Sequence, residues 1–295
     1  MRRDRSIILP RVFRGRDALR EGVFSEKQLR GPEVQRVVHG VYTVRGVPLT
    51  HQLRCEATAL LLPTGAVITG RSQATLLGVE LTRWEDDVEV LLPAGGRWST
   101  PKGVTARRTR VIEAGAPWED VPLASRHRMA FDACTRMELT EAVANLDALV
   151  RGGLVERTPL RHWLRDMHDP HVVAARRAAD LCDPRAESRP ESIVRVILVL
   201  ADLAVEPRWF VHDAAGRFVA RLDLALPEFK VAIEYDGAWH ALREQLSKDR
   251  HRMRALRDAG WETVHVTADM LADPQSIVDA VRRAVQRQRA ARRAA

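Results

Sequence analysis

Cysteine is scarce in this chain and never paired: Cys55, Cys134 and Cys182 are widely spaced and form no CxxC step. Such spacing offers neither a disulfide framework nor a thiolate metal motif, so the three read as buried apolar residues in a reducing compartment. Long apolar runs are missing as well. No stretch approaches the roughly 20 apolar residues that a membrane-spanning helix needs, and Ile7-Ile8-Leu9 behind Arg2, Arg3 and Arg5 is far too short for a signal peptide. The expectation is a soluble, cytoplasmic protein with no membrane partner. Repeats and low-complexity segments are lacking outside the arginine-rich tail. His162, His168 and His171 lie close together, but their intervals suit neither a helical i, i+4 metal pair nor a zinc pattern. They read as surface or satisfied core side chains.

What the chain does have is apolar content and positive charge. With 45% apolar residues in a length of 295, it has room for roughly two or three domains with real cores. A formal net charge of +8 favours a polyanionic partner such as nucleic acid.

The chain divides at Asp180 to Pro190, where the Asp183-Pro184 and Arg189-Pro190 steps resist helix continuation. Upstream, Asp17 to Arg30 predicts a short helix, a turn at Gly22-Val23-Phe24 and a second helix capped by Ser25. A strand is expected from Arg36 to Val44, with Gly40 and Tyr42 inside it. Two small helices followed by a β-wing is the layout of a winged helix-turn-helix, and a small capping subdomain would give the same pattern. Helices are then expected at Thr50 to Leu62 and Arg71 to Leu77, strands at Asp87 to Leu92 and Val104 to Val111, and helix from Arg126 to Val150. Downstream, the pattern reads helix (Pro190 to Leu203), two or three strands (Trp209 to Asp236), helix (Leu242 to Ala259), strand (Trp261 to Thr267) and helix (Pro274 to Arg289). That order predicts an α/β fold with a central sheet. The middle helix, closed by Gly260, turns Leu242, Leu246, Met253 and Leu256 to the core and carries Lys248, Arg250, Arg252, Arg254 and Arg257 on its opposite faces.

The chemistry concentrates in the strands of this last region. From Phe218 to Leu226 the even positions are apolar, while the other face carries Arg221 and Asp223. After a Pro227-Glu228-Phe229 turn, Val231, Ile233 and Tyr235 form one face, and Ala232, Glu234 and Asp236 the other. If the two strands pair as a hairpin, Asp223 joins Glu234 and Asp236. Carboxylates so clustered repel unless a shared proton or a cation relieves them, and a divalent metal does so well.

With Glu191 on the preceding helix, Asp236-Gly237 and His240 after the second strand, and Asp249-Arg250 on the next helix, the region from Ser188 to Val285 resembles the PD-(D/E)XK nuclease superfamily. Within it, the chain is most similar to the Vsr-like branch, related to the very short patch repair endonucleases. The E-x-D-G-x-x-H signature of that branch reads here as Glu234-Tyr235-Asp236-Gly237-Ala238-Trp239-His240. Upstream, His39-Gly40-Val41-Tyr42, Ile68-Thr69-Gly70-Arg71 and Val88-Glu89-Val90-Leu91-Leu92-Pro93 resemble the AbiEi-type antitoxins, a winged helix followed by an α/β domain. The resemblances together imply a multi-domain α/β chain: a winged-helix-like region over 1–48, an antitoxin-like α/β region over 49–180 and a restriction-endonuclease-like domain over 186–290.

Carried over by residue, the nuclease resemblance makes Asp223 the bridging metal ligand and Glu234 a second ligand or the general base, with Glu191 completing the shell. Hard oxygen ligands suit Mg²⁺ or Mn²⁺. His240 would shuttle a proton or support the attacking water. Asp236 stands where the superfamily commonly has lysine, a departure shared with the Vsr-like branch, and Lys248 or Arg250 would supply the missing cation from the helix. Lys248, Arg250, Arg254 and Arg257 would track DNA phosphates, and the N-terminal region would contact DNA or a toxin partner.

Structural alternatives stand beside each of these roles. Ser188 and Glu191 match a capping box. Asp223 has Arg221 or Lys230 as possible ion partners, Asp236-Gly237 is a common turn step, and His240 has Trp239 to pack near. The helix arginines also fit a solvated face. Two functions therefore remain open: a metal-dependent endonuclease acting on DNA, or a non-catalytic DNA-binding regulator of the antitoxin type that keeps the fold as a binding module. RNA as substrate is a third reading.

Overall fold

The computed structural model describes residues 10–95, 97–236 and 243–294, with backbone alone for 243–250. Its contacts divide the chain into two compact units, one of residues 1–135 with 152–176, the other of residues 136–151 with 177–295. Both mix helices with sheets, and among the described residues no helix is long and apolar enough to cross a membrane.

In the first unit, β1 (Phe13–Arg14) leads into α1 (Gly15–Arg20) and α2 (Glu26–Leu29), followed by β2 (Val34–Val38) and β3 (Val41–Val44). The Ser25 hydroxyl accepts the Gln28 N–H, and the Gln28 side chain answers the Ser25 N–H, so both first-turn donors of α2 are satisfied. The expected single strand from Arg36 to Val44 is instead a hairpin. It turns at His39-Gly40, where Gly40 adopts φ +77°, and β3 lies between β1 and β2. Next come α3 (His51–Ala59), β4 (Val67–Ile68), α4 (Gly70–Leu76), β5 (Val88–Pro93) and β6 (Val104–Thr109). The last three strands form a sheet in the order β4-β5-β6. Here the segments Ile68-Thr69-Gly70-Arg71 and Val88–Pro93 meet: Glu89 on β5 accepts the Arg71 backbone N–H at 2.7 Å and its Nε–H at 2.8 Å, closing the N-terminus of α4.

The expected helix from Arg126 to Val150 breaks in two, α5 (Arg126–Ala133) and α6 (Leu139–Arg151), with Arg136 between them at φ +60°. α6 belongs to the second unit. The helices α7 (Arg157–Asp166) and α8 (Val172–Leu181), not expected from the pattern, follow, and His162, His168 and His171 are exposed. Cys55, Cys134 and Cys182 are buried and form no disulfide.

The second unit continues with α9 (Arg189–Leu200), β7 (Glu206–His212), β8 (Phe218–Leu226), β9 (Val231–Asp236), α10 (Arg243–Asp258), β10 (Glu262–Thr267), α11 (Ala268–Leu271) and α12 (Pro274–Ala294). Its sheet runs β10-β9-β8-β7, antiparallel except for the parallel β9/β10 pair. A parallel neighbour requires a crossover, and α10 provides it. Two cores result. Leu224, Leu226, Val231 and Ile233 pack with Val194 and Leu198 of α9 and Val281 of α12, while Ala220, Leu222, Ala225 and Ala232 pack with Leu256 of α10 and Trp261. A sheet covered on both faces explains why β8 and β9 are apolar beyond simple alternation.

Candidate functional site

Leu222 and Leu224 lie in different cores, so the alternation of β8 changes phase across Asp223. Strict alternation, which the even-numbered apolar positions predicted, would have put both leucines on one face. The neighbouring strand is irregular at the same level. The β7/β8 ladder pairs Pro207 with Leu224 and Trp209 with Leu222, and Arg208 between them is left-handed at φ +55°. On the other side, the β8/β9 ladder ends at Leu224↔Ile233, and one further step sets Asp223 against Glu234.

The two carboxyl groups act on each other. Burial is the main cause that raises the Glu234 carboxyl to about 7, followed by the charge of Asp223, with Arg252 opposing. Asp223 is also raised, first by burial and then by the Glu191 charge, against the opposing Arg252 charge and the Tyr235 backbone N–H, which donates to it. Glu234 is 7% exposed. Its Oε2 accepts from Arg252 Nη2 at 2.5 Å, while its buried Oε1 has no hydrogen-bond partner among the described residues.

Glu191 serves two purposes. Its carboxylate accepts the Glu187 backbone N–H at 2.8 Å, and its own N–H donates to Ser188 Oγ at 3.3 Å, so it does close the α9 N-terminus. It is also the strongest charge acting on Asp223. The ion partners considered for Asp223 are engaged elsewhere: Arg221 pairs with Glu187 at 2.8 Å, and Lys230 donates to the Ala259 carbonyl at 3.0 Å. Asp236 is largely exposed and pairs with His265 Nδ1 at 3.0 Å. His240 lies outside the described residues, as do the side chains of Lys248 and Arg250. Arg254 and Arg257 are exposed on α10, Arg254 lying 4.0 Å from the Asp258 carboxylate.

Arg252 is the residue that sequence reasoning misplaced. Assigned to the solvated side of α10, it is half-buried and its guanidinium reaches Glu234 instead. The signal was present: Arg252 precedes the fully buried Leu256 by four residues, so the two share one face of the helix.

Asp223 and Glu234 are suited to hold a divalent cation. Among the described residues no group of three His, Cys, Asp or Glu side chains surrounds one point, and Glu191 is committed to its helix cap. Mg²⁺, however, commonly takes only one or two carboxylates, completing its shell with water and substrate phosphate. The unmatched Oε1 and the raised carboxyls mark a pair short of positive charge.

No family model matches the chain. It is 27% identical over 255 residues to the uncharacterized proteins MT2308 and Rv2248 from two strains of Mycobacterium tuberculosis, covering 82% of this chain and 88% of each relative. The crystal structure of the RV2827C protein from Mycobacterium tuberculosis is 17% identical with a TM-score of 0.38, over 62% of this chain and 75% of that one.

Proposed function

We propose that the C-terminal unit is a metal-dependent endonuclease of the PD-(D/E)XK type, in its Vsr-like branch, acting on DNA phosphodiester bonds. The upstream unit, with winged-helix and antitoxin-like regions, would contribute DNA contact or bind a partner such as a toxin. One observation carries the reading: half-buried Asp223 and buried Glu234 stand opposite each other as like charges, with a Glu234 oxygen left unmatched. A fold tolerates such a pair poorly unless it has a use.

Mg²⁺ or Mn²⁺ bound by Asp223 and Glu234 would polarise the scissile phosphate and lower the pKa of an attacking water. Glu234 would be either the second ligand or, where Asp223 alone holds the ion, the group that accepts a proton, its metal-free carboxyl being raised to about 7 by burial. Asp223, held by the Tyr235 N–H, keeps its orientation. Arg254 and Arg257 would meet phosphates along α10.

Nicking of supercoiled plasmid with Mn²⁺, against EDTA and against Asp223→Asn, tests the proposal. Metal-dependent nicking that the variant loses is expected. A protein that binds DNA yet never nicks it with either metal would refute catalysis.

The second reading, a non-catalytic DNA-binding regulator, is favoured by Arg252, whose guanidinium already neutralises Glu234. It predicts DNA affinity independent of metal and of Asp223.

A further inference from the structure

Two buried atoms face an unfinished interaction. Arginine and carboxylate usually meet through two parallel N–H···O bonds. Here Arg252 Nη2 bonds Glu234 Oε2 at 2.5 Å, while Arg252 Nε and Glu234 Oε1 are both buried without a partner among the described residues. A pair selected for stability alone would not leave both complementary atoms unmatched, because each has lost its water. One guanidinium also serves two carboxylates, since Arg252 opposes the charges of both Asp223 and Glu234. With both carboxylates ionised, a single positive charge leaves the group net negative.

We infer that Arg252 is the resident counter-cation of the Asp223/Glu234 pair, that a divalent ion competes with its guanidinium for Glu234, and that the released guanidinium then binds the substrate phosphate. The inference rests on the nuclease reading for its last step. The ion brings two positive charges to two carboxylates, and a guanidinium cannot share the same oxygen at close range without repulsion. Once displaced, Arg252 stays at the site because Leu256, one turn on, is anchored in the core. A planar guanidinium is well matched to a phosphate. The strand offers no such cation, since Asp236 occupies that position and pairs with His265.

Calorimetric titration of the full-length protein with Mn²⁺, wild type against Arg252→Met, is the test, together with nicking rates at saturating metal. Removal of the competitor is expected to tighten Mn²⁺ binding about tenfold, while loss of the phosphate contact slows nicking about 100-fold. A merely structural role would also slow cleavage but would loosen the metal, so the sign of the change in Mn²⁺ affinity separates the two. Unchanged or weaker Mn²⁺ affinity in the variant, beside a wild type that binds, overturns the inference and leaves the nuclease reading intact. No Mn²⁺ binding by either protein overturns the metal site and the inference with it. If Arg252→Met does not fold, the arginine Nε resonances of the wild type are followed through a Mg²⁺ titration, with Arg252→Lys identifying the signal. The Arg252 resonance is expected to shift as the ion binds, and a resonance that stays in place overturns the inference.

Discussion

Asp147 on α6 and Arg195 on α9 form an ion pair of 2.9 Å in the interior of the C-terminal unit, where the aspartate is wholly inaccessible. The other Asp147 oxygen accepts the Asp183 backbone N–H at 2.7 Å, so one side chain ties three segments together. Asp147→Ala would leave a buried guanidinium unpaired and is expected to lower the stability of this unit by about 3–5 kcal/mol. Replacing both partners, Asp147→Leu with Arg195→Met, should recover most of that loss. Chemical denaturation of the single and double variants checks the contrast.

Glu234 makes the stability of the metal-free protein depend on pH. Its folded pKa, about 7, lies above the ordinary carboxyl value, so the native state holds a proton that the unfolded chain releases. Stability from this group is therefore complete at about pH 4 and is lost as pH rises through 7, by about 3 kcal/mol in all. Glu234→Gln abolishes the titration. In EDTA, the variant should match wild type at low pH and exceed it at pH 8, and parallel curves would contradict the assignment.

Exposed arginines on α10 should govern the salt dependence of DNA binding. Each phosphate contact removed lowers the slope of log K against log salt by about 0.9. Arg254→Glu with Arg257→Glu is expected to flatten the slope by about 2 contacts' worth, with little loss of stability because both side chains are exposed. An unchanged slope, measured by fluorescence anisotropy, would move the DNA surface to the N-terminal unit.

Gly70 is constrained by both conformation and space. Its φ is +59°, and an added Cβ would collide with Glu89 Oε2, the oxygen that receives the Arg71 N–H. Gly70→Ala is expected to cost about 2–4 kcal/mol, from left-handed backbone strain and displacement of Glu89. Thermal denaturation of the variant measures it. A shift of less than a degree would show that Glu89 relocates freely.

Local signals that agree with one another were legible without coordinates. Ser25, Thr50 and Ser188 begin helices because each hydroxyl accepts an N–H three residues on, an interaction confined to four consecutive residues. Apolar spacing likewise announced α10 and the paired strands around Pro227. Where local choices are balanced, the pattern misled. Val37-Val38-His39-Gly40-Val41 fits one strand as well as a hairpin, and only the pairing of β3 with β1 and β2 decides. The helical stretch through Arg126 to Val150 is interrupted near Arg136, and the Asp147–Arg195 pair draws α6 into the second unit.

That Asp223 and Glu234 occupy otherwise apolar strands was legible from the residues alone, because the apolar runs on either side of the Pro227 turn are short-range properties of the chain. Tertiary structure alone decided which charge each carboxylate meets. Arg221 goes to Glu187, Asp236 to His265 and Arg252 to Glu234, the last across a helical crossover. Coulomb interaction falls with distance through space and strengthens with burial, and neither quantity is written in the separation of residues along the chain.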